Sequence, residues 1–115
     1  MTLKEITDIY ILCDGEIISC NINFDGEPFA TLILKIREKL EKKMNYVLLQ
    51  FQITGLSKCE IYEDFKTQYY SDITLIELEN GEFYLSLDPY DNSNIPDERD
   101  NFIICGKTFS VKELQ

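Results

Sequence analysis

The sequence predicts a mainly β protein, built as a single twisted antiparallel sheet or as a partly closed barrel or sandwich. First, apolar and polar residues alternate over several short runs, such as 16–24 and 46–54, which is typical of half-buried strands. Second, Asp-Gly and Asn-Gly dipeptides at 14–15, 25–26 and 80–81 supply turn signals. Third, the chain has 115 residues, 44% of them hydrophobic and without a linker, so residues 1–115 form one domain.

Most of the remaining elements are predicted by the same alternation. Short strands are expected at 58–62 and 102–105, a closing strand at 108–114, and a short helical turn at 63–70. Residues 28–44 fit two structures. In a helix over 28–44 their apolar side chains would form one stripe, and the protein would be α+β. In a strand they would follow the Asp-Gly turn and be followed by a loop at 38–45. The turn signal favours the strand.

Asn80-Gly81 is the strongest turn signal, and it predicts a hairpin over 72–88. A two-residue type I′ turn at this dipeptide would pair Leu78 with Phe83 and place Glu79 opposite Glu82.

Composition and charge narrow the function classes. Residues 1–58 carry eight acids and seven bases, a net of −1, whereas residues 59–115 carry thirteen acids and four bases, a net of −9. A one-sided acidic field attracts basic partners and repels nucleic acid and anionic membranes. The chain has no histidine, no glycine-rich phosphate loop and no nucleophile elbow, so neither an enzyme nor a cofactor is expected.

The four cysteines predict neither a zinc site nor a redox motif, because no two of them are two or four residues apart. We expect reduced thiols that are mostly buried as small hydrophobes, although Cys13 and Cys20 could form a disulfide if they faced each other. The N-terminal residues show no signal-peptide core, which favours a cytoplasmic protein.

Two stretches of the acidic half are candidates for binding. Carboxylates gathered on one face, with tyrosines interspersed, are typical of a surface that meets a basic protein. The expected partner-binding residues are Glu63, Asp64, Tyr69, Tyr70, Glu77, Glu79, Glu82 and Tyr84. The alternative is a small-ligand or cation site in the loop 88–101, between Asp88 and Asn101, which is rich in Asp and Asn but lacks the EF-hand spacing. No metal-ligating residues are assigned.

Three segments resemble a group of small bacterial β-rich proteins, some of which are similar to immunity proteins of polymorphic or contact-dependent toxin systems. The segments are 13–17 (Cys-Asp-Gly-Glu-Ile), 47–60 and 81–89 (Gly-Glu-Phe-Tyr-Leu-Ser-Leu-Asp-Pro). The group's opening motif has His-Asp, and Cys13 stands here in place of that histidine. The resemblance supplies no catalytic residue. It implies a stoichiometric inhibitor of a basic toxin, for example a nuclease, with no nucleic-acid or membrane partner.

Overall fold

A computed structural model describes residues 1–39 and 45–114, and these form a half-barrel: one antiparallel sheet of seven strands with one short helix. The mainly β prediction is confirmed, with 59% of residues in strands. The elements are α1 Leu3–Ile9, β1 Tyr10–Asn23, β2 Phe29–Glu38, β3 Asn45–Ile61, β4 Tyr69–Tyr70, β5 Thr74–Glu77, β6 Phe83–Ser86 and β7 Phe102–Leu114. The strand order across the sheet is β4-β1-β2-β3-β7-β6-β5.

Several predicted strands are parts of longer ones. β3 joins the predicted strands 46–54 and 58–62 through Gly55, whose φ of +65° is a conformation that glycine adopts without strain, and a register shift between Leu56 and Lys58. β7 likewise joins 102–105 and 108–114. The Asp14-Gly15 dipeptide does not end a strand, because it lies inside β1 at a register shift, with Asp14 at φ +54°. Asp25-Gly26 does turn the chain, between β1 and β2.

Residues 28–44 contain a strand, as the turn signal indicated. β2 buries Ala30, Leu32, Leu34 and Ile36 on one side and leaves their neighbours more accessible, which is a period of two rather than a helical stripe. Most of the predicted loop 38–45 lies outside the described residues.

The predicted register of the Asn-Gly hairpin is wrong by one residue. β5 pairs with β6 as Ile76 to Tyr84 and Glu77 to Phe83. The N–H of Gly81 donates to the carbonyl of Leu78, and Gly81 alone takes a positive φ, +87°. The connection is therefore a three-residue loop that ends in a glycine, not a two-residue turn with both residues left-handed. Because one step reverses every side chain, the predicted faces of this hairpin are also wrong.

The N-terminal helix was not predicted, although its signal is present in the sequence. Thr2 and Glu5 form a capping box: the Glu5 N–H donates to Thr2 Oγ1 at 3.1 Å, and Glu5 Oε1 accepts from the Thr2 N–H at 3.4 Å. The helix turns Ile6 into the core, where it is fully buried.

The main core lies on one face of the sheet and is covered by α1. Its largest fully buried side chains come from β2, β3, β6 and β7, together with Ile6 of α1 and Leu87 just after β6, and each contributes roughly 1.5–3 kcal/mol by leaving water. A smaller cluster around Tyr84, Ile103 and Cys105 packs separately from it.

The cysteines are free thiols, but Cys105 is the only one that is buried. The expectation that most are buried is therefore wrong: Cys13 is half-buried, and Cys20 and Cys59 are exposed. Within the described residues, no helix has the length and apolar character that a membrane crossing requires.

Candidate functional site: an acidic groove

An open groove of about 310 Å³ lies between the chain that follows β3 and the end of β6. We call it the acidic groove, because four carboxylates and one lysine line it. Its lining residues are Glu63, Asp64, Phe65, Lys66, Thr67, Tyr69, Tyr70, Ser71, Asp72, Leu87, Asp88 and Pro89.

One wall of the groove is the segment that links β3 to β4. This segment does not form the predicted helical turn. Instead Phe65 and Gln68 take left-handed conformations, and the Gln68 N–H donates to the Phe65 carbonyl at 2.8 Å. The Phe65 ring packs edge-on against buried Phe102, with ring centres 5.8 Å apart. This aromatic contact anchors the acidic segment to the core.

The opposite wall follows from the hairpin. The paired part of the hairpin ends at Thr74 and Ser86, and Asp72 and Asp88 lie just beyond it and both line the groove. Neither was among the predicted partner-binding residues, although Asp88 begins the loop 88–101 of the alternative site. Asp88 accepts a hydrogen bond from Asn101 at 3.2 Å, whereas Asp72 has no hydrogen-bond or ion-pair partner among the described residues.

Tyr69 is an exposed aromatic residue of the groove, with 64% of its surface accessible to solvent. Its ring also lines a second, smaller depression that contains Asp14, Glu16 and Lys35, and Asp14 lies 4.0 Å from the guanidinium of Arg37. Carboxylates therefore lie on both sides of an exposed ring. This arrangement suits a lysine or arginine side chain, which is attracted both by carboxylates and by the face of an aromatic ring.

Two of the predicted partner-binding tyrosines are structural instead. Tyr70 is 4% exposed and donates to the Leu12 carbonyl at 2.6 Å. Tyr84 is 5% exposed and donates to Asp100 Oδ2 at 2.5 Å. Burial raises the pKa of both phenols, helped at Tyr84 by the hydrogen bond to Asp100 and at Tyr70 by nearby Cys13 and Asp14. Both rings therefore offer a partner very little contact area, although Tyr70 lines the groove.

The structure divides the predicted carboxylates into two groups. Glu63 and Asp64 line the acidic groove, whereas Glu77, Glu79 and Glu82 lie at the other end of β5, which is about 10 Å long. Glu82 is partly buried and accepts a hydrogen bond from Ser57 at 3.1 Å. The hairpin tip is therefore a separate acidic patch.

The four aspartates of the loop 88–101 all accept hydrogen bonds within the loop. Asp100 is 2% exposed, and it accepts from Tyr84, from the Tyr90 N–H at 2.7 Å and from the Asp97 N–H at 3.1 Å. Arg99 forms a two-pronged pair with Asp97, which lowers the pKa of that carboxyl to about 2. The turn-forming role of Asp therefore accounts for the composition of this loop.

No group of three or more histidine, cysteine, aspartate or glutamate side chains within 1–39 and 45–114 has the arrangement that a metal ion needs. Fold and site together define a mainly β half-barrel with an acidic groove at one end of the sheet. Comparison with known proteins finds no matching family model, no matching curated protein and no matching solved structure.

Proposed function

We propose that this protein is a stoichiometric binder of a basic protein, and that it acts as an immunity-type inhibitor that neutralises a basic toxin such as a nuclease. The observation that carries the proposal is the exposed Tyr69 ring between the carboxylates of the acidic groove and those of Asp14 and Glu16. A nuclease binds phosphate through lysine and arginine, so an acidic surface with an aromatic platform competes for the same side chains.

The charge of the chain supports the same proposal. The net −9 of residues 59–115 attracts a basic protein before contact is made. Steering raises the association rate and makes it dependent on ionic strength. Because Asp72 has no partner among the described residues, its charge is available to an incoming cation.

The test uses three tagged baits in a lysate of the native host at low salt: the natural chain, Asp72→Lys and Asp25→Lys. Asp25 is an exposed aspartate in the β1–β2 turn, so the control makes the same charge change outside the groove. We expect one basic protein to be captured in equal molar amount by the natural chain and by Asp25→Lys. Asp72→Lys should slow its association by roughly three- to tenfold at low salt.

The inhibitor role is tested with the captured protein itself. Its expression alone should arrest bacterial growth, and co-expression of the natural chain should restore it. Equal capture by the Asp72→Lys and Asp25→Lys baits would place the contact outside the groove. A captured protein whose expression leaves growth unchanged would contradict the inhibitor role while leaving protein binding intact.

The hairpin tip is tested separately. If it belongs to the same face, reversing Glu77, Glu79 and Glu82 to lysine should slow association by at least about tenfold at low salt. If association is unchanged, the interface is confined to the acidic groove.

A further inference from the structure

One edge of the sheet is left without a neighbouring strand. β1 pairs with β2 along most of its length, but it pairs with β4 only at Gly15 and Glu16. The N–H of Ile17 donates to the Gln68 carbonyl at 2.7 Å, and past this point no described residue pairs with that side of β1. We call residues 18–23 of β1 the free edge.

The hydrogen-bond directions show which backbone groups the free edge presents. Ile17 lies opposite Leu34 of β2, but its backbone N–H donates to the Gln68 carbonyl on the β4 side. Ile17 and Leu34 are therefore a pair whose backbones do not hydrogen-bond each other. Because bonding and non-bonding pairs alternate along β2, the same holds for the pair of Cys20 and Leu32. The N–H and carbonyl of Cys20, and those of Ile22 two residues on, therefore point away from the sheet.

The other edges carry the protection that sheet proteins normally use. β5 is four residues long, and its Leu75 N–H is capped by the side chain of Asn94 at 3.0 Å. The part of β3 beyond β2 carries two charges, Lys58 and Glu60. Short length, caps and charges prevent an edge from accepting a further strand.

The free edge has no such cap or charge, and its one irregularity is the register shift between Ile17 and Ser19, at its first residue. It contains no charged residue, no proline and no glycine, although 28% of the chain is charged. Its residues are Ile18, Ser19, Cys20, Asn21, Ile22 and Asn23. An uncharged edge of this length is a template for pairing with another strand.

We infer that the free edge pairs with the free edge of a second copy of this chain, antiparallel and about a two-fold axis at Asn21. Such pairing sets no like charges opposite each other, since the segment is neutral. The axis also brings Ile18 of each copy next to Phe24 of the other. Ile18 begins the free edge and Phe24 follows its last residue, and these residues are 44% and 73% exposed.

Charge and size determine the strength of this dimer. Two copies that each carry −10 repel one another, so added salt strengthens the association. Six paired residues bury less surface than a standard interface, so the dimer is weak, with a dissociation constant of roughly 10 µM to 1 mM. Partner binding through the acidic groove has the opposite salt dependence, and the two associations are therefore distinguishable.

The test is sedimentation equilibrium from about 10 µM to about 1 mM protein, at 20 and 500 mM NaCl, together with hydrogen exchange of the backbone amides. We expect the mass to rise from one chain toward two, more at 500 mM than at 20 mM NaCl. The Cys20 and Ile22 amides should gain protection as the dimer forms.

Two pairs of variants locate the contact. Cys20→Pro removes an edge N–H, whereas Cys20→Thr keeps it, and Cys20 is exposed. Asn21→Lys places a charge on the edge, whereas Asn92→Lys makes the same charge change in the loop 88–101. Cys20→Pro and Asn21→Lys should raise the dissociation constant at least about fivefold, and each control should leave it unchanged.

Three results would overturn the inference. The chain could remain a monomer at about 1 mM in 500 mM NaCl, the dimer could weaken with salt, or the edge variants could dimerise as tightly as their controls. Asn21→Lys adds only an exposed side chain, so it decides the matter even if Cys20→Pro fails to fold.

Discussion

The loop 88–101 and the acidic groove are both rich in carboxylates, but the two regions use them differently. In the loop, Asp97 and Asp100 accept hydrogen bonds from neighbouring side chains and backbone, and Asp100 is almost completely buried. In the groove, Glu63 and Asp64 accept from nearby backbone N–H groups and Asp88 accepts from Asn101, but Asp72 is exposed and has no partner among the described residues. The difference shows that acid content alone does not locate a binding surface. Carboxylates without internal partners are the ones available to another molecule.

We expect the largest difference in stability between the two regions from the substitution Asp100→Ala. This change leaves the Tyr84 hydroxyl and the Tyr90 and Asp97 N–H groups without their acceptor, which should lower the free energy of unfolding by about 3 kcal/mol. Urea unfolding measures the loss. The matched change Asp72→Ala in the groove should leave the unfolding midpoint unchanged, and an equal loss at both positions would remove the distinction.

Gly15→Ala tests the anchoring of the groove. A Cβ at this position would lie 2.5 Å from the Tyr70 hydroxyl oxygen and 2.7 Å from Cζ of the same ring. Tyr70 must therefore move, and the free energy of unfolding should fall by roughly 1–3 kcal/mol. In a Tyr70→Phe background the same substitution should cost less, because the two residues are in contact. Additive losses would show that Tyr70 is not what limits the space at Gly15.

The hydrogen bonds of the two buried tyrosines, Tyr84 next to the loop and Tyr70 in the groove, should contribute unequally to stability. Tyr84 donates to a carboxylate and Tyr70 to a backbone carbonyl, and hydrogen bonds to charged groups contribute more. We expect Tyr84→Phe to cost about 2 kcal/mol and Tyr70→Phe about 1 kcal/mol, measured by urea unfolding. The reverse order would mean that the hydrogen bond to Asp100 contributes less than the one to the Leu12 carbonyl.

The same tyrosines predict how stability depends on pH. Burial raises the pKa of Tyr70 and Tyr84 above the ordinary value of 10.0, and it raises the pKa of a third tyrosine, Tyr10, to about 12. The folded chain therefore keeps protons that the unfolded chain releases. Their contribution is fully present below the unfolded pKa and is lost as pH rises through the folded one. Urea midpoints should fall above about pH 10, and Tyr84→Phe should make that fall shallower. If the urea midpoint of the variant falls with pH as steeply as that of the natural chain, Tyr84 does not contribute to the loss of stability.

The sequence predicts the β class, the strand in 28–44 and the long acidic loop, because these depend on local alternation and turn residues. It does not predict the register after Asn80-Gly81, since the same dipeptide closes a two-residue or a three-residue loop. Nor does it separate Tyr69 from Tyr70. Adjacent residues on a strand face opposite sides, and only the paired β1 decides which of the two is buried.

The position of β7 has a consequence for how the chain folds. β7 comes last among the strands but lies inside the sheet, between β3 and β6. Its pairs Leu48 to Leu114 and Thr54 to Thr108 join residues 66 and 54 positions apart, and such non-local pairing slows folding to milliseconds or seconds. During synthesis at about 5–20 residues per second, β7 is made roughly 3–12 seconds after the part of β3 with which it pairs. Over that interval the edge of β3 that later pairs with β7 is unpaired in the nascent chain, and such an edge is a template for other strands.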